Sequence, residues 1–153
     1  MKRWILYIAV VALLSTTSFR GTDIAKLAPV EVVWLAEEDG QVLLMTDTED
    51  VGRGADVQEA LADMKAAALG TVFLDTADYL IVETGAEKFL NQIAAALRPS
   101  CMICRAKQVP DLKKAAQFLS VHEPDVTLRQ WQNDSVKLPV LKEEERSFVW
   151  DEP

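Results

Sequence analysis

The sequence predicts an α/β domain, a mixed sheet with an edge hairpin and helices packed on it, and three observations predict it. Short apolar runs rich in β-branched and aromatic residues alternate with amphipathic stretches of helical period. The run Tyr79–Val82 is apolar without alternation, the pattern of a strand covered on both faces, and Cys101–Ala106 is a further buried-type run. Asp39-Gly40 lies between the first two runs, and Asp-Gly in that place is a strong signal for a tight hairpin. The expected order is β-β-α-β-α-β-α followed by a tail, with strands joined through helices running parallel.

Taken in order, Val30–Ala36 is the first strand and Val42–Thr46 its antiparallel partner. Asp47–Gly54 is polar and glycine-punctuated, and is expected to be a loop. Asp56 caps the first helix, with Glu59 at the capping-box position. Val57, Ala60, Leu61, Met64, Ala67 and Ala68 form its inward stripe, and Gly70 stands where a left-handed C-cap belongs. Thr71–Leu74 opens as a strand, Asp75–Asp78 interrupts it, and Tyr79 resumes. Either one strand carries a bulge or a short lead-in turns before the main strand. Thr84-Gly85-Ala86-Glu87 matches a capping box for a second helix running through Phe89, Leu90, Ile93, Ala94 and Leu97. Cys101–Ala106 is the next strand. Pro110 and Asp111 begin a third helix with Leu112, Ala115, Ala116 and Leu119 inward. Three segments result: 1–21 as signal peptide or N-terminal membrane anchor, 22–125 as the α/β domain, and 126–153 as an irregular acidic tail.

The N-terminal segment reads as a targeting signal, with a buried N-terminal helix as the alternative. Lys2 and Arg3 precede the apolar run Trp4–Leu14. As a helix that run spans only about 16 Å, against a hydrocarbon core of roughly 30 Å. A signal-peptide core fits this length, and an uncleaved anchor fits if Thr16–Phe19 lie in the membrane. Trp4 suits a membrane interface. No cysteine follows the run, so there is no lipobox. The net charge of −8, from 16 basic and 24 acidic residues, argues against a nucleic-acid partner.

Candidate chemistry is sparse. Cys101 and Cys104 form a CxxC, but in a strand rather than at a helix N-terminus, where the dipole would activate a thiol. Three extended residues set their Cα atoms roughly 10 Å apart on opposite faces, and a disulfide needs less than about 7 Å. Buried core cysteines are expected. His122 is the single histidine, too few soft ligands accompany it for a metal site, and an exposed place at a helix end is expected. Asp75 and Asp78 are read as turn formers. Gly52-Arg53-Gly54 lacks the length and the Lys-Ser/Thr of a phosphate loop. Trp34, Trp131 and Trp150 are read as core or surface anchors. No catalytic, cofactor-binding or metal residue is assigned.

Asp23–Ala28 leads into the first strand and the Glu37–Gly40 hairpin. Together with residues 60–107 (ALADMKAAALGTVFLDTADYLIVETGAEKFLNQIAAALRPSCMICRAK), these resemble the N-terminal domain of the Ger(x)C family, the C subunits of spore germinant receptors. Phe73, Tyr79–Glu83, Gly85, Leu97-Arg98 and Asp111-Leu112 carry the resemblance. Family members have a lipid-bearing cysteine and two further domains; this chain has no such cysteine and is expected to be a shortened relative. The resemblance implies a non-enzymatic extracytoplasmic domain acting by protein–protein contacts, its partners other germinant-receptor-like membrane subunits, and its membrane contact through the N-terminal segment. It implies no cofactor. The alternatives are a generic exported binding module and a CxxC thiol protein.

Overall fold

The computed structural model describes residues 29–134, 136–144 and 147–151. The segment read as a targeting signal, Trp4 and the Asp23–Ala28 stretch therefore lie outside the described residues. Among those described, no helix is long and apolar enough to cross a membrane.

The elements are β1 (Val32–Glu38), β2 (Gln41–Thr46), β3 (Val51–Gly54), α1 (Val57–Ala67), β4 (Tyr79–Glu83), α2 (Leu90–Ile93), β5 (Met102–Ala106), α3 (Leu112–Leu119), α4 (Leu128–Asp134), β6 (Val140–Glu144) and β7 (Ser147–Asp151). They form one seven-stranded mixed sheet, ordered β3-β2-β1-β4-β5-β6-β7. β1, β4, β5 and β6 run parallel, and an antiparallel extension closes each end. The α/β class holds and the β1–β2 hairpin forms, but β3 rather than the hairpin occupies the edge.

The central strands follow from their sequence. Val32 to Ala36 are all at most 3% exposed, because β1 is covered on both faces. Alternation assigns the sides. Val33, Leu35, Leu80, Val82 and Ile103 face a core closed by Val57, Ala60 and Met64 of α1, Leu90 and Ile93 of α2, and Leu128 of α4. Val32, Trp34, Ile81 and Cys104 face the other, closed by Leu112, Ala115, Ala116 and Leu119 of α3 and by Phe148 of β7. Trp34 is 1% exposed, so its truncation to alanine would cost about 3–5 kcal/mol.

The Asp39-Gly40 turn forms as expected, with φ of 51° and 77° and Glu38 paired to Gln41. At the far end of the hairpin, Asp47 Oδ1 accepts from Glu31 N–H (3.0 Å) and Val32 N–H (3.1 Å), fixing the start of β1. Asp56 caps α1 by accepting from Glu59 N–H at 2.9 Å. Glu59 reaches back one residue further than a standard box, to Ala55 N–H at 3.0 Å.

Several expectations are corrected. Asp47–Gly54 is not all loop: its second half is β3, the edge strand beside β2. Its alternating pattern is hidden because Gly52 and Gly54 occupy the buried positions. A Cβ at Gly52 would stand 2.1 Å from Ala60 O, so α1 lies directly on the strand. α1 ends without Gly70; Ala68 is already extended (ψ 137°), its N–H closing on Met64 O. Ala67, placed in the inward stripe, is exposed. Of the two readings around Asp75, the turning lead-in is correct: Leu74–Thr76 is a 3₁₀ turn, not the continuation of a strand.

The Thr84–Glu87 capping box does not form. Thr84 Oγ1 donates across the sheet to Ala106 O (3.4 Å), and Glu87 accepts from Gly85 N–H (2.7 Å). The next turn tightens to 3₁₀ over Glu87–Phe89, and only Leu90–Ile93 is α-helical, short of the expected Leu97. The stretch expected to be an irregular tail supplies α4 and the β6–β7 hairpin. Thr127 and Gln130 form a reciprocal capping box there: Thr127 N–H donates to Gln130 Oε1 (2.8 Å) and Gln130 N–H to Thr127 Oγ1 (3.3 Å). Pro139 precedes β6, and its carbonyl accepts from Arg105 N–H at 2.8 Å.

Candidate functional site

The two thiols are the natural first candidates. Cys101 immediately precedes β5 and packs in the core under α1 and α2, while Cys104 within β5 packs in the core under α3. Both are free and buried, on opposite faces as strand geometry requires. Burial pushes the Cys101 thiol up to about 12, with Arg98 opposing weakly. Cys104 is pushed up as well, chiefly by burial and secondarily by Cys101. A protonated, enclosed thiol is a poor nucleophile and a poor metal ligand at neutral pH.

The two aspartates of the interrupted strand do not face each other. Asp78 pairs with Arg98, whose guanidinium also donates to Thr76 O (3.1 Å) and Ala77 O (3.4 Å). Thr76 Oγ1 donates to Phe73 O (2.7 Å) and Val30 O (3.2 Å). Asp78 N–H and Tyr79 N–H both donate to Glu31 O. Together these groups staple the start of β4 to the start of β1, with Asp75 exposed beside them. Gly52-Arg53-Gly54 is a strand under a helix, not a phosphate cradle. His122 is exposed in the turn after α3, its ring 4.7 Å from Phe118.

In an open α/β sheet, ligands gather at the carboxyl ends of parallel strands. Here those ends carry charges that neutralise one another. Lys88 pairs with Glu37 (2.6 Å), Arg105 with Glu87 (3.5 Å), and Glu83 accepts from Glu37 N–H (3.3 Å). Arg105 Nε is buried without a partner among the described residues. Beside them, Lys107, Gln108, Pro110 and Phe148 line a cleft of about 320 Å³ between the end of β5 and the β6–β7 hairpin. None of this cluster was visible in the sequence, because its members lie in segments that only the sheet topology brings together. Among the described residues, no group of three or more histidine, cysteine, aspartate or glutamate side chains could hold a metal ion.

What the fold displays is surface. Val51, Leu69 and Phe73 are exposed; Leu69 and Val51 border one hollow at the end of α1, and Phe73 lines the next. On the far side, Phe118 stacks near Phe148 (5.7 Å) and Trp150 (5.9 Å), an aromatic wall between α3 and β7. Trp34 is the core anchor expected of it; Trp131 and Trp150 are half-buried. The two sheet edges differ. At β3, Arg53 N–H is taken by Asp63 Oδ2 of α1 (2.9 Å), whereas among the described residues no strand follows β7. Comparison with protein families, with curated proteins and with solved structures finds no match for this chain.

Proposed function

We propose that this chain is a non-enzymatic extracytoplasmic interaction domain of the Ger(x)C N-terminal type, working by protein–protein contacts within a germinant-receptor-like assembly at a membrane. The observation that carries the reading is the placement of the quoted residues. Tyr79–Glu83 forms the central parallel strand β4, Gly85 turns with φ 107°, and Phe73 leads in through an exposed turn. Leu97 is buried in the connection after α2, Arg98 next to it pairs with Asp78, and Asp111 caps α3. Both thiols are buried, and apolar side chains such as Val51, Leu69 and Phe73 are displayed, a surface suited to protein contacts.

In this reading the Lys2–Leu14 segment targets the chain to the membrane, and the domain faces outward. The test is fractionation of the sporulating host with an epitope on the chain, followed by protease treatment of intact protoplasts. Membrane association with an exposed epitope, together with retrieval of germinant-receptor membrane subunits after cross-linking, is the expected result. A chain found wholly in the cytosol or the culture medium refutes the reading.

A further inference from the structure

We propose that β7 is a self-pairing edge, and that two copies of this chain join antiparallel through it about a two-fold axis at Val149.

The hairpin register fixes which backbone groups are free. Glu144 pairs with Ser147, Lys142 with Val149 and Val140 with Asp151. The Pro139 carbonyl points to β5, so by alternation the backbone groups of Val140, Lys142 and Glu144 point to β7 and these three pairs are the hydrogen-bonded ones. The N–H and C=O groups of Phe148 and Trp150 therefore turn away from β6. At the opposite edge, Asp63 occupies the Arg53 N–H and blocks pairing. Within Ser147–Asp151 there is no proline and no lysine, the one charge is the terminal Asp151, and Val149 is half-buried at the midpoint.

The occupant follows from the register. With the axis at Val149, Phe148 stands against Trp150 of the second copy and exchanges both backbone hydrogen bonds with it. Ser147 meets Asp151 of the second copy, so no like charges oppose. The aromatic wall of Phe118, Phe148 and Trp150 continues across the axis. In this self-complementary register all five residues of β7 are paired and none meets a like charge, which is why a second copy fits this edge. The pairing does not depend on the membrane reading. The contact is smaller than a standard interface, so a weak, concentration-dependent dimer is expected.

Val149 at the axis gives a direct test on the full-length chain in detergent micelles. Opposed residues of a non-hydrogen-bonded pair have Cα atoms about 4.5 Å apart, within reach of a disulfide. Val149→Cys should therefore cross-link to a dimer under copper-phenanthroline, while Lys142→Cys, one strand away, should stay single. The native thiols are buried and do not compete. Val149→Lys and Val149→Glu should each sediment as monomers with unchanged circular dichroism, and their mixture should regain the dimer. Failure of Val149→Cys to cross-link, equal cross-linking at Lys142→Cys, or a wild-type chain monomeric up to millimolar concentration each overturns the proposal.

Discussion

Gly52→Ala tests the packing of α1 on the sheet. The added Cβ would lie 2.1 Å from Ala60 O, 2.6 Å from Met64 Cβ and 2.8 Å from Met64 N. Two of these atoms are helix backbone, so no rotamer change relieves the clash. α1 must lift by about 1 Å, a gap that forfeits a quarter to a half of the dispersion well at each contact. Val57, Ala60 and Met64 all lose contact with the sheet in that movement. Overpacking of this kind costs about 1–3 kcal/mol, and the reduced freedom of the unfolded chain offsets about 0.4–1 kcal/mol. A net loss of about 2 kcal/mol is expected, because the clash is with backbone. Urea unfolding followed by circular dichroism should show the midpoint fall by about 1 M, for a slope near 2 kcal/mol/M. A loss below about 0.5 kcal/mol would refute the reasoning, since α1 would then not rest on Gly52.

Other expectations are smaller or simpler. Asp47→Ala removes the acceptor shared by Glu31 and Val32 N–H; a loss of about 1.5–3 kcal/mol in the same unfolding assay is expected, and an unchanged midpoint would contradict that role. Thr127→Ala breaks the box that starts α4; about 1 kcal/mol is expected, and Thr127→Ser should recover most of it. Neither Cys101 nor Cys104 should react with a thiol reagent at pH 8 in the folded chain, and both should react in denaturant; fast native labelling would contradict their burial. The raised Cys101 thiol also sets a pH dependence. The folded state holds that proton from the unfolded value of 9.0 up to about 12, so stability is full below pH 9 and falls as pH rises through that window. Cys101→Ala should flatten the alkaline limb.

The sequence was informative wherever one segment decided its own structure. β1, β4 and β5 are mostly apolar runs, and Asp39-Gly40 encodes its turn locally, so all four were readable. β3 was not, because Gly52 and Gly54 erase the alternation that a strand would show; the reason they are glycine lies in Ala60 and Met64, well along the chain. Thr84–Glu87 has the letters of a capping box, but Thr84 is drawn to the Ala106 carbonyl across the sheet, a partner no local pattern reveals. The tail failed differently: Thr127 and Gln130 did carry a capping signal, and Phe148 and Trp150 an alternating strand, both obscured by Pro139 and the acidic run. Of the candidate residues, the opposite-face placement of Cys101 and Cys104 followed from strand geometry alone. The Glu37–Lys88 and Glu87–Arg105 pairs could not be foreseen, since sheet topology alone brings them together.

The most direct test of the central claim is the germination response of spores whose gene for this chain is deleted and then complemented. An interaction domain without catalytic chemistry predicts slowed nutrient germination in the deletion strain. It also predicts full restoration by the wild-type chain and equally by a folded Cys101→Ala/Cys104→Ala chain. Germination at the wild-type rate without the chain, or restoration that requires the thiols, would contradict the account.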